Sequence, residues 1–484
     1  MSLQHGGQSR LHPLPRRWMA LAVIVLSLFG LGRGWQLWAH EPLYAYANSY
    51  DQTRYSACFD LYPDRPADVP PQQNSPQAPF EQFRFIRSDD PLCYWSSELL
   101  FDALAASVWR ISETWSGPRA HSVRILGALK LGALLALSAA LSLGWWRRGR
   151  HRVALANAAL LAVLWSDPAN TLYLNTFYAE TSALLAAYAL LGMLLLWRGE
   201  MATPLRRACL LLAALCLATS KLQHLLLPLL LGAGLFALQW LSTRRADWRV
   251  GAMFTGAVLG MGLQALQLQR DGAMMDSIHQ YNRADVLLTS LLPFTNDPVA
   301  LLGELGIDPA CAVYSGKHAW ELPDMPAEVC SGLQQFGYGA QLRVLASHPR
   351  LSLRLAAHSI AALDPWLAQN LGHVEDGAMQ ALPAQQFSLA TPLQRWTWLH
   401  YLVLGLPFLG LLVLLRRQTT HERAAALEYS LLTVLLMGAT LGVTVLGDGL
   451  ADTAKQAHLV TNAALAWLLV SVGLALPRRW DQPV

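Results

Sequence analysis

Long apolar runs separated by short polar breaks dominate the chain, with two long polar interruptions. A bilayer core about 30 Å thick is crossed by about 20 mostly apolar residues in helical form. Ten runs approach that length: about 18–39, 122–146, 153–168, 179–198, 206–220, 222–242, 249–268, 396–415, 424–446 and 457–476. The third and fifth are short and run at their outer ends into polar motifs, as expected of helices that stop early inside a protein-lined cavity. The pattern predicts an all-α polytopic membrane protein of about ten transmembrane helices, with two mostly helical extracytoplasmic segments. The expected divisions are a cytoplasmic tail 1–17, a first span 18–39, a first outer segment 40–121 and spans two to seven over 122–268. A second outer segment 269–395, spans eight to ten over 396–476 and a cytoplasmic tail 477–484 complete the chain.

Basic residues set the expected orientation, because cytoplasmic loops carry the excess of Lys and Arg. Arg16 and Arg17 precede the first span. The clusters Arg147–Arg152, Arg198–Arg207, Arg244–Arg249, Arg416–Arg423 and Arg478–Arg479 all fall on the same side when ten spans are threaded. The short loop 167–178 on the other side has neither Lys nor Arg. Both termini are therefore expected in the cytoplasm, in a bacterial inner membrane with the outer segments in the periplasm. A signal peptide is the alternative for the first run; its length and the lack of a clear small-residue cleavage site favour an anchor.

The first outer segment opens on a Tyr-rich stretch, Tyr44 to Tyr55, and continues through a Pro/Gln/Asn linker at 63–79. It closes on an amphipathic helix near 95–115, whose apolar face Trp95, Leu99, Leu100, Leu104 and Trp109 suits the membrane interface. In the second, helical patterns are separated by turns such as Asn296-Asp297-Pro298 and Asp308-Pro309. Each outer segment holds two cysteines, Cys58 with Cys93 and Cys311 with Cys330, while Cys209 and Cys216 lie within an apolar run. One disulfide per outer segment fits an oxidising compartment; four unpaired thiols are the alternative.

Composition agrees. The chain of 484 residues is 54% hydrophobic and only 14% charged, against roughly 25% charged in soluble domains. With 36 Lys+Arg against 32 Asp+Glu the net charge is +4, too small for a nucleic-acid footprint. Most soluble enzymes are excluded as well.

Because ionisable groups at span mouths cost several kcal/mol, they mark candidate sites. Four motifs gather at the outer level. Asn48-Ser-Tyr-Asp51-Gln-Thr-Arg54-Tyr55 follows the first span. Its carboxylate serves either as a general base or cation ligand, or in a salt bridge within the loop. Ser166-Asp167-Pro168 and Asn175-Thr-Phe-Tyr178-Ala-Glu180 precede the fourth span. Helix capping accounts for Glu180 alone but not for Asn175 and Tyr178 beside it. In Ser220-Lys221-Leu-Gln223-His224 the lysine runs against the arginine asymmetry, which fits either a phosphate or snorkelling to headgroups. Gly447-Asp448-Gly-Leu-Ala-Asp452-Thr-Ala-Lys455-Gln-Ala-His458 lies between the last two spans. On one helix, Asp452, Lys455 and His458 would share a face. No nucleophile elbow, P-loop or HExxH zinc pattern occurs.

These residues give the chain a likeness. The stretches Asn175–Glu180, Ser220–Gln223, Gly303-Glu-Leu-Gly306 with Ile307-Asp308-Pro309, and Gly447–Lys455 resemble segments of bacterial GT-C-like glycan-biosynthesis hexosyltransferases. The acidic motif after the first span and a second carboxylate in the next outer loop resemble the GT-C superfamily of membrane glycosyltransferases more broadly. Gln456 stands where a histidine is expected after the lysine. The resemblance implies transfer of a sugar from a polyprenyl-phosphate-linked donor to a glycan, lipid or protein acceptor on the outer face. Asp51 would be the general base. Asp167 and Glu180 would orient the acceptor or hold a divalent cation, Mg or Mn, where one is used. Arg54, Lys221, Lys455 and His458 would meet the donor phosphate, and Asn175, Tyr178, Gln223, Asp448 and Asp452 would line the substrate site. Membrane lipids are the remaining partner, and nucleic acid is not one. Two other classes compete: a transporter or flippase of lipid-linked glycan, which needs ionisable groups across the midplane, and an O-antigen-type polymerase or ligase.

Overall fold

The computed structural model describes residues 16–41, 43, 49–64, 81–89, 92–364, 366–367, 373–374, 378–379, 387–416 and 421–475. Asn48, nearly all of the 63–79 linker, most of both tails, and Arg417, Arg478 and Arg479 lie outside the described residues.

The protein is an all-α, multi-pass membrane protein. Among the described residues, seven helices are long and apolar enough to cross a bilayer: Arg16–Trp38, Arg124–Arg147, Leu222–Thr243, Trp248–Arg270, Thr397–Leu415, Arg423–Asp448 and His458–Ala475. Three shorter helices, His151–Trp165, Glu180–Leu196 and Pro204–Ser220, fall on the remaining apolar runs. The first of these ends in a π-helical turn, Leu160–Trp165, and stops at Ser166. Nearly every residue of Glu180–Leu196 is buried, which explains its all-round hydrophobicity: other helices enclose it. Pro204–Ser220 packs between Glu180–Leu196 and Trp248–Arg270. Gly256 and Gly260 face Ala214 and Ala218 there, and an added methyl group at either glycine would collide. Lipid offers no hydrophobic gain for pairing helices, so close backbone approach through small residues supplies the contact.

At one end of the bundle, arginines are tied to acids. Arg249 pairs with Glu428 and Asp247, Arg198 with Glu428, and Arg148 and Arg206 with Glu200. At the other end lie both long segments and their cysteine pairs, Cys58–Cys93 and Cys311–Cys330, each placed as a disulfide. Cys209 and Cys216 are unbridged.

The first long segment adds a small sheet to its helices. A small antiparallel sheet joins Leu61–Pro63, Gln82–Phe85 and His121–Ser122 in that order. Strands of two to four residues carry no readable alternation, so the pattern of polar and apolar positions did not reveal them. The amphipathic helix runs Leu99–Ser116, with apolar residues on two sides. Ala105, Ala106 and Trp109 pack inward, whereas Leu100, Leu104, Val108, Ile111 and Trp115 are exposed. The expected single face is thus split between protein core and surroundings. The second segment is mostly helical, built on Leu287, Leu291, Leu302, Leu333 and Phe336 around the Cys311–Cys330 bridge, and Val445 of the Arg423–Asp448 helix joins that core.

Candidate functional site

A cavity of about 1250 Å³ opens where the segments meet the mouths of the spans. Asp51, Arg54, Tyr178, Glu180, Lys221, Gln223, Asp448, Asp452 and Lys455 all line it, so the four motifs read from the sequence converge on one space.

Each motif is positioned locally. Asp51 and Arg54 stand on the helix Ser49–Ser56, which the Cys58–Cys93 bridge anchors just downstream. Gln52 ties this helix to the next motif by accepting the backbone N–H of Phe177 at 3.2 Å. Glu180 occupies the first turn of its helix, where exposed N–H groups favour a carboxylate. The last motif turns at Gly449, whose φ of 65° suits glycine. A side chain there would also strike the Asp285 carbonyl and the Thr289 hydroxyl. The Thr289 hydroxyl accepts the Leu450 N–H at 2.9 Å, fastening this motif to the second segment.

Ion pairs organise the floor. Asp51 pairs with Arg54 at 2.8 Å and with Lys455 at 2.9 Å. Lys455 also reaches Asp452 at 3.2 Å and stands 4.4 Å from the centre of the Tyr178 ring. Burial disfavours its charge, but Asp51, Tyr178, Asp452 and Glu180 together raise its pKa well above that of a free lysine. Lys221 donates to Glu180 and, at 2.9 Å, to the side-chain carbonyl of Gln456. Gln456 thus serves as a hydrogen-bond acceptor at the place where a histidine was expected.

Three expected residues do not line the cavity. Asp167 is buried as the cap of Pro168–Thr171; it accepts from Ala169 N–H, Ser388 Oγ and Leu389 N–H at 3.0, 2.7 and 2.7 Å, with Arg33 3.7 Å away. Burial raises its pKa, and those donors oppose the rise. It joins the first span to the segment ahead of Thr397–Leu415. Asn175 is buried and donates to the Trp38 carbonyl at 3.1 Å. His458 is separated from the Asp452–Lys455 face because the short helix Thr453–Gln456 ends and a new helix starts at His458. Its ring packs against Tyr173.

Other lining residues escaped sequence reading. Asp285 lines the cavity from a helix of the second segment, with its Oδ1 accepting the Ala319 N–H at 2.8 Å. Burial first, then Asp448, Asp452 and Glu321, push its pKa up to about 8. The signal available was an acid directly before the apolar run Val286–Leu292. Tyr55, Tyr94, Asn282, Arg283, Trp320, Tyr338, Gln341 and Asp364 are among the other polar and aromatic lining residues.

Among the described residues no group of three His, Cys, Asp or Glu side chains is placed to hold a metal ion. The described residues thus offer no cage of three protein ligands for the divalent cation that the resemblance allowed.

Residues 122–335 match the family model of the YfdI N-terminal transmembrane domain. That stretch is similar to a membrane domain, in keeping with the helices it contains. It includes Tyr178, Glu180, Lys221, Gln223, Asp285 and Trp320 of the cavity, while Asp51, Tyr338, Asp448 and Lys455 lie beyond it. No curated protein and no solved structure matches the chain.

Proposed function

We propose that the protein is a membrane glycosyltransferase that moves a sugar from a polyprenyl-phosphate-linked donor to an acceptor hydroxyl, with the cavity facing the periplasm. The observation that carries this reading is the convergence of Asp51, Lys221 and Lys455, from three distant parts of the chain, on one cavity at the membrane end of the outer segments.

In this reading the donor phosphate takes over lysine and arginine contacts now given to carboxylates. Leu222, Val443 and Leu446 give the same cavity an apolar part for the start of the prenyl chain. The acceptor oxygen attacks the anomeric carbon, its proton passes to Asp51, and the bond from that carbon to the phosphate oxygen breaks. Negative charge grows on the departing polyprenyl phosphate, where Arg54, Lys221 and Lys455 are preorganised to meet it. Tyr178 and Gln223 contact the sugar, and Asp448 and Asp452 hold the lysine side of the cavity. Asp167, Asn175 and His458 act in this scheme as supports.

The lining places four cations (Arg54, Lys221, Arg283 and Lys455) against six carboxyl groups (Asp51, Glu180, Asp285, Asp364, Asp448 and Asp452). An anionic donor therefore enters more easily when some of those carboxyls are protonated.

Proteoliposomes loaded with a polyprenyl-phosphate hexose separate this reading from transport. Release of free polyprenyl phosphate upon addition of acceptor supports transfer. Movement of intact donor across the bilayer without its consumption would establish a flippase instead.

A further inference from the structure

The floor of the cavity is ionic, whereas the wall from the second segment sets aromatic and amide groups beside Arg283, Asp285 and Asp364. Trp320, Tyr338, Asn282 and Gln341 line that wall from the second segment. Trp320 and Tyr338 are 61% and 63% exposed. Trp320 is held nonetheless: its ring stacks on His318 with centroids 4.3 Å apart and planes 4° from parallel. The His318 N–H donates to Glu321 at 2.6 Å, and the Cys311–Cys330 bridge closes the loop that carries the indole. Gln341 is the opposite case, only 2% exposed, with its Oε1 lacking any hydrogen-bond partner. A buried amide oxygen left unpaired is costly, so a ligand donor is the natural remedy.

Fixed aromatic faces beside amide groups match the chemistry of a sugar. The C–H face of a pyranose is apolar and stacks on an aromatic ring. Its hydroxyls both donate and accept, as amide side chains do. Drug-sized ligands occupy pockets of about 300–1,000 Å³, so about 1250 Å³ leaves room for more than the donor head. The exposed rings lie at the rim, where a chain can continue into water.

We propose that Trp320, Tyr338, Asn282 and Gln341 form an acceptor subsite for an uncharged sugar unit of an oligosaccharide, separate from the cationic floor. This rests on the glycosyltransferase reading and names its acceptor class. The full-length protein in nanodiscs is tested on an array of bacterial surface oligosaccharides, with undecaprenyl phosphate binding measured in parallel. At least one neutral oligosaccharide is retained by wild type; Trp320→Ala and Gln341→Ala each weaken it about tenfold. Trp320→Phe stays within about threefold because a ring remains. Undecaprenyl phosphate binding is unchanged in all three variants. Equal saccharide binding by both alanine variants overturns the subsite, as does no retained saccharide while undecaprenyl phosphate binds. Trp320-sensitive saccharide binding without any undecaprenyl phosphate binding keeps the subsite and sinks the donor assignment.

Discussion

Lys130 shows what a single residue can hide. It lies in the middle of an apolar span, fully buried, and pairs with Glu98 while donating to the Thr176 carbonyl at 2.5 Å. Asp102 is buried one turn along from Glu98, with neither carboxyl oxygen hydrogen-bonded. Burial raises the pKa of both acids, Glu98 adds to the rise at Asp102, and Lys130 opposes the rise at each. Averaged hydropathy conceals one charge in about 20 residues, and Glu98 and Asp102 read as the polar side of an amphipathic helix. Lys130→Met should lower stability by about 3–5 kcal/mol, since it leaves buried acids unpaired. A thermal melt in detergent reads this, and adding Glu98→Gln should recover part of the loss. No recovery would mean that the pair is not the cause.

Asp285 carries a pH prediction. Its folded pKa of about 8 exceeds the roughly 4 of an unfolded aspartate, so the native state holds an extra proton between those values. Its contribution to stability is complete below about pH 4 and is lost as pH rises through about 8. Burial is the main cause; Asp448, Asp452 and Glu321 also oppose its ionisation, while the Ala319 N–H favours it. Melting temperature should therefore fall between about pH 6 and pH 9 in wild type. Asp285→Asn should remove that part of the slope, and an unchanged slope would show that Asp285 does not titrate there.

Among the elements, helices were legible and short strands were not. The ten apolar runs correspond to helices because 3.6-residue periodicity and length persist over many residues. The three-stranded sheet depends on pairing between residues up to 40 positions apart, such as Gln82 with Ser122, and no local pattern encodes that. The helix Ser49–Ser56 is too short and polar to stand alone. Its place depends on Gln52 and on the Cys58–Cys93 bridge, which closes a separation of 35 residues. Cys58→Ser should cost about 2–4 kcal/mol and reduce turnover, because Asp51 loses its anchor. Turnover at the wild-type level after reduction would contradict that dependence. The exposed row Leu100, Leu104, Val108, Ile111 and Trp115 fits an interfacial position for Leu99–Ser116. A spin label at Leu104 should be quenched by lipid-dissolved oxygen more than by an aqueous relaxer; the reverse would place the helix in water.

At the scale of the whole molecule, charge is sorted by end. Arginine–carboxylate pairs gather at one end of the bundle, and the cavity with its mixed acids, lysines and aromatics occupies the other. The sequence motifs indicated which residues belong to the outer level, since charge at a span mouth is costly wherever it occurs. They did not distinguish those facing the cavity from Asp167, Asn175 and His458, which face protein. That distinction is set by where helices break, as at Gln456, and a heptad-like spacing from Asp452 to His458 cannot reveal a break. In the proposed reaction this end of the molecule breaks the bond between a sugar and a prenyl phosphate, with Asp51 as base. The most direct test is single-turnover release of polyprenyl phosphate from a polyprenyl-phosphate hexose with acceptor present, comparing purified wild type with Asp51→Asn. Release by wild type and a fall of about 10²–10⁴-fold in the variant are expected; equal rates from both proteins would contradict the role of Asp51 as base.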